Sequence, residues 1–176
     1  MRLSSKNGMT LPEVVMAAAI GIFLSFGVFA FAAFFQRAQY EYQSNIQLTN
    51  DARLVLEKMI WGENISGQVN RRGIAEAAAG VITSPTRFDY TDQDGVAHSV
   101  RLNNGSIEYQ YGASGWKTLL DPNYGLANDS NEYTVSLEFT APVVPNSVNI
   151  EVVVGRRMTD RWYYGSTSTQ VFYRNA

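Results

Sequence analysis

From Val14 to Phe35 the chain reads VVMAAAIGIFLSFGVFAFAAFF, 22 residues with no charge and no proline, interrupted only by Ser25 and two glycines. At ~1.5 Å per residue such a helix spans about 33 Å, enough for a hydrocarbon core roughly 30 Å thick. Any fold of this chain must place that segment in lipid or against other segments like it. Arg2 and Lys6 precede it, whereas Arg37 behind it is soon followed by Glu41. That asymmetry puts the N-terminus in the cytoplasm and the bulk of the chain outside. The run is too long for an ordinary secretory signal, whose apolar region covers about 7–15 residues. Glu13 stands at its start, and a carboxylate at the edge of hydrocarbon is costly and normally paired or functional.

Beyond the apolar run, helical spacing continues to Trp61. Tyr42, Ile46, Leu48, Ala52, Val55, Leu56, Met59 and Ile60 are expected on one side of a 3.6-residue wheel, with Leu54 as an outlier. Glu41, Gln43, Asn50, Asp51, Arg53, Glu57 and Lys58 lie opposite. No Gly or Pro falls between Val28 and Trp61, so one helix is expected to run through both halves and stop at Gly62. The all-round apolar half suits lipid or other copies of itself. The striped half suits a folded domain in cis.

After Gly67 the pattern changes to short alternating runs. Phe88 and Tyr90, then Val96, His98 and Val100, then Ile107, Tyr109 and Tyr111 alternate with polar residues. Asp94-Gly95, Asn104-Gly105 and Ser114-Gly115 supply turns that need positive φ. EYTVSLEFTAPVV, SVNIEVVVG and STQVFYR read as three more strands. The fold class is therefore α+β: a long N-terminal helix packed, through its amphipathic half, on a mostly antiparallel β-sheet. The domains follow as an apolar helix half ending at residue 35, an amphipathic half at 36–62 and a β-rich head at 63–176.

The chemistry on offer is narrow. The chain has no Cys, one His and a formal charge of −2. That excludes disulfides and thiolate chemistry, and disfavours a generic nucleic-acid binder, whose footprint is basic. Arg71-Arg72 and Arg156-Arg157 are short basic pairs expected in surface ion pairs. His98 sits in a strand without an evident catalytic partner, and no phosphate loop or nucleophile elbow is present, so no enzyme is expected. In the 120–132 loop, Asp121, Asn123, Asn128 and Asp129 form an oxygen-rich group of the kind that binds Ca²⁺. The same residue types are ordinary in turns, and no other cofactor is expected.

Lys6-Asn7-Gly8-Met9-Thr10-Leu11-Pro12-Glu13, followed by the apolar run, resembles the prepilin leader and N-terminal helix of type IV pilins and pseudopilins. The ending STSTQVFYRN is similar to that of J-type minor pseudopilins and minor pilins. The resemblance implies a pilin-like fold and cleavage between Gly8 and Met9 by a prepilin peptidase, with N-methylation of Met9. It also implies a role for Glu13 in assembly, in which a neighbour's new terminal amine pairs with it. The implied function is a structural subunit of a type IV pilus-like filament or type II secretion pseudopilus. Its partners would be other pilin or pseudopilin subunits, the peptidase and an inner-membrane assembly platform. The chain would be held in the inner membrane by one pass, head outside, before entering a filament. Met9 in place of the usual phenylalanine and Ala30 in place of a kinking proline point to a minor subunit. Two other readings remain open: a signal-anchored envelope domain that binds a ligand without assembling, and a DNA-capturing minor pilin.

Overall fold

The computed structural model describes residues 9–62, 73–120, 132–158 and 161–173. Among the described residues, α1 (Leu11–Trp61) is followed by a short 3-10 turn at Ile74–Glu76 and then eight strands. The chain divides into two compact units, residues 1–42 and 43–176. Gly62, at φ 83°, ends α1 with its N–H on Lys58 O at 2.9 Å, a left-handed stop that costs glycine no side-chain clash.

In the first unit α1 carries the apolar run, whose large side chains range from 50% exposed at Val14 to 79% at Phe23. By length and composition it is able to cross a membrane. Ser25 donates its hydroxyl to Gly21 O at 2.8 Å, meeting its own polar need within the helix.

The second unit combines the rest of α1 with two antiparallel sheets. β1 (Ala77–Ser84), β2 (Arg87–Asp92), β3 (Ala97–Asn103), β4 (Ser106–Tyr111) and β5 (Lys117–Leu120) form a meander in sequence order. β6 (Tyr133–Thr140), β7 (Ser147–Met158) and β8 (Arg161–Phe172) form the second sheet, again in sequence order. The expectation of one sheet is thus corrected to two, because alternation identifies strands but not which edges pair. β1 was not foreseen: its alanine-rich AAAGVITS gives little alternation to read.

One core joins all three layers. Leu48, Ala52, Val55, Leu56 and Met59 of α1 pack with Phe88, Val100 and Ile107 of the first sheet and Leu137, Phe139, Ile150 and Val152 of the second. The sheets meet where the Phe88 and Phe139 rings stack at 5.5 Å, and where Phe139 N–H donates to Pro85 O at 2.7 Å. Gly80 makes room for Phe88: a Cβ there would lie 2.3 Å from the ring's Cζ. Tyr42 and Ile46 are exposed, contrary to expectation. Ile46 precedes Leu48 by two residues, a rotation of about 200° at 3.6 residues per turn, and so leaves the buried stripe. Leu54, the expected outlier, is exposed as well.

The Asn104-Gly105 pair has φ 49° and 78°, the pattern of a two-residue hairpin turn with positive φ at both centres. In the turn after β4, however, positive φ falls on Gly112 at 53° and not on Gly115. Ser114 closes that turn through its N–H to Tyr111 O at 2.9 Å.

Candidate functional site

The start of α1 is built by four residues. Thr10 stands just outside the helix, Leu11 and Pro12 open it, and Glu13 occupies the third helical position. Proline fits there because the first-turn N–H groups have no intrahelical partner. Thr10 N–H donates to Glu13 Oε2 at 2.8 Å, and the Thr10 hydroxyl donates to the same oxygen at 2.9 Å. Val14 N–H closes the first helical bond on Thr10 O at 3.2 Å.

This is half of a capping box, in which the third-position glutamate satisfies the N-cap amide. The threonine hydroxyl serves the carboxylate instead of a backbone N–H. Both bonds fall on Oε2, so Oε1 takes no hydrogen bond among the described residues. The carboxylate is therefore oriented by its own chain while one oxygen stays free for an outside donor. Thr10 was not singled out in the sequence, although the Thr-x-x-Glu spacing was there to be read. Met9, exposed beside it, is the first described residue.

Gly8 lies outside the described residues. So do Asp121, Asn123, Asn128 and Asp129, the proposed Ca²⁺ ligands, and Arg71-Arg72. Among the described residues no group of three or more His, Asp or Glu side chains is placed to hold a metal. Arg157 pairs with Glu132 at 3.2 Å, and Arg156 lies over the Tyr133 ring at 5.4 Å.

His98 is a packed strand residue at the centre of a buried polar cluster. Its Nε2 lies 3.2 Å from Asp92 Oδ2, and its Nδ1 is hydrogen-bonded to the Tyr109 hydroxyl. The Tyr90 ring stacks on it at 4.8 Å and the Tyr111 ring meets it edge-on at 4.8 Å. Asp92 Oδ1 accepts the N–H groups of Asp94 and Val96, each at 2.9 Å, and so shapes the β2–β3 turn. Burial pushes the Asp92 carboxyl up, but bonds from Val96, His98 and Asp94 outweigh it and hold the group below its ordinary value. Burial, reinforced by Tyr109, raises Tyr90 well above the usual phenol range.

With both His98 and Asp92 nearly sealed from solvent, the cluster organises three strands and offers no substrate access. Asp89, on the same hairpin, is structural as well. Asp89 accepts Ser99 Oγ at 2.5 Å, Thr83 Oγ1 at 2.6 Å and Arg87 Nε at 2.9 Å.

No protein-family model, curated protein or solved structure significantly matches the chain.

Proposed function

We propose that this chain is a minor subunit of a type IV pilus-like filament or type II secretion pseudopilus, cut after Gly8 and assembled through the first half of α1. The observation that carries the reading is the helix itself. Its apolar half exposes 22 residues of bare hydrophobic surface, and its second half is built into a folded head. Glu13 marks where the bare half begins. The Gly8-Met9-Thr10-Leu11-Pro12-Glu13 register supplies a cleavage point, a new amine and a carboxylate in the order assembly needs.

On this reading the processed Met9 amine of one subunit meets the free Oε1 of a neighbour's Glu13, and the pair rewards one stagger between helices. The inner membrane stores the subunit through the same segment until it is extracted. The Thr10–Glu13 bonds also favour a second reading, a signal-anchored envelope domain, since they satisfy the carboxylate without any partner. Mass spectrometry of the protein from its native host separates the two. Loss of residues 1–8 with a methylated Met9 is the expected result, and an intact leader would favour the anchor.

A further inference from the structure

The outer face of the β6–β7–β8 sheet carries features that neither the core nor the helix accounts for. Antiparallel register puts Glu138 directly opposite Glu151, both exposed, and neither holds a cation among the described residues. Like charges opposed across strands are destabilising unless something compensates them. The pair lines a depression of about 360 Å³, with Thr140, Asn149, Ser168 and Gln170 completing its polar wall. That volume lies in the range of small-ligand sites.

Further along the same face stands an aromatic ledge. Trp162 and Tyr164 are 36% and 57% exposed and lie nearly parallel, their rings 6.0 Å apart and 18° from coplanar. Gly155, the cross-strand partner of Tyr164, lets that ring lie across the sheet: a Cβ there would be 2.7 Å from Tyr164 Cε1. Between ledge and depression the floor is made of small side chains, Ser136, Val153 and Ser166. From Tyr164 to Ser168 the face extends about 13 Å at ~3.3 Å per residue, the span of a short oligosaccharide. Arg157, the cross-strand partner of Trp162, is already paired with Glu132.

We infer that this face binds a glycan chain carrying free amino groups, a polymer of deacetylated hexosamine. A pyranose ring offers an apolar C–H face to the ledge, where the negative π-surface favours positively polarised hydrogens. Its ammonium answers the unpaired carboxylates, and its hydroxyls match the amide and hydroxyl wall. Charge complementarity selects the amino sugar over a neutral one. The site belongs to the head alone and stands whether or not the chain assembles.

The test uses the full chain in nanodiscs, free of sugar detergents, titrated calorimetrically with a glucosamine hexamer. Its fully N-acetylated form, cellohexaose and an arginine-rich hexapeptide serve as comparators. The glucosamine hexamer should bind in a salt-sensitive manner, and each comparator at least about tenfold more weakly. Trp162→Ala and Glu138→Gln/Glu151→Gln should each weaken it by about tenfold, the scale of one lost ring contact or charge-assisted bond. Because Glu138 and Glu151 are exposed and opposed, the double Gln variant should melt somewhat higher than wild type, and Trp162→Ala is compared at a temperature where its head remains folded. No binding at millimolar hexamer, equal binding by the peptide, or unchanged affinity in the folded variants would each overturn the proposal.

Discussion

Gly165 of β8 lies against the backbone of Thr49 in α1, so close that a Cβ on the glycine would stand 2.2 Å from Thr49 N and 2.4 Å from Leu48 C. This contact sets how near the second sheet can come to the helix, and therefore how completely Leu48 and Ala52 are buried. Adding a methyl group to a packed core costs about 1–3 kcal/mol where side chains can yield. Here the obstruction is backbone, so Gly165→Ala is expected at or beyond the top of that range. Urea unfolding of the full chain in nanodiscs reads the loss. A wild-type midpoint would show that helix and strand are not in this contact.

Acid should unfold the head through Asp89 and Asp92. For Asp89, as for Asp92, burial raises the carboxyl, but bonds from Ser99, Thr83 and Arg87 and the Arg87 charge outweigh it, so the folded value is depressed. A depressed folded value means stability that is fully present above the unfolded carboxyl value of about 3.9 and is lost as pH falls through the folded value. Thermal midpoints should therefore hold between pH 7 and 5 with respect to these groups and fall below about pH 4. Asp89→Asn should lower stability at pH 7 and flatten the acid limb. An unchanged acid limb in that variant would remove Asp89 from the account.

The helix wheel makes a sharp pair of substitutions. Leu56 is buried at 5% exposure and Leu54 is exposed at 55%. Leu56→Ala should cost about 2–5 kcal/mol, and Leu54→Ala should stay within about 0.5 kcal/mol. Equal effects in chemical denaturation would contradict the assigned face.

Much of this fold was legible where local chemistry decides it. The apolar run, the stripe from Leu48 to Ile60, the Gly62 stop and the alternating strands β2 to β4 all follow from period and turn residues. Ile46 failed because one misplaced apolar residue is invisible until the domain chooses which face to cover. The Asp92–His98–Tyr109 cluster failed for a related reason, since its members meet only once the register of three strands is set. At the helix start, the sequence identified Glu13, but the convergence of two Thr10 donors on one carboxylate oxygen is a matter of geometry.

The free Oε1 of Glu13 is where the account of assembly stands or falls. Glu13→Ala leaves Gly8 and Met9 untouched and makes the segment more apolar, so the variant should insert and be processed normally. It should then fail to enter filaments, because the neighbour's amine has lost its acceptor. Glu13→Asp, one methylene shorter, should be intermediate. The deciding measurement is the amount of tagged, processed subunit recovered with sheared filaments from the native host, normalised to filament number. The account predicts a loss of about tenfold or more for Glu13→Ala, the effect of removing one charge-assisted pair. Wild-type recovery of that variant would contradict it and leave Glu13 as a helix cap held by Thr10.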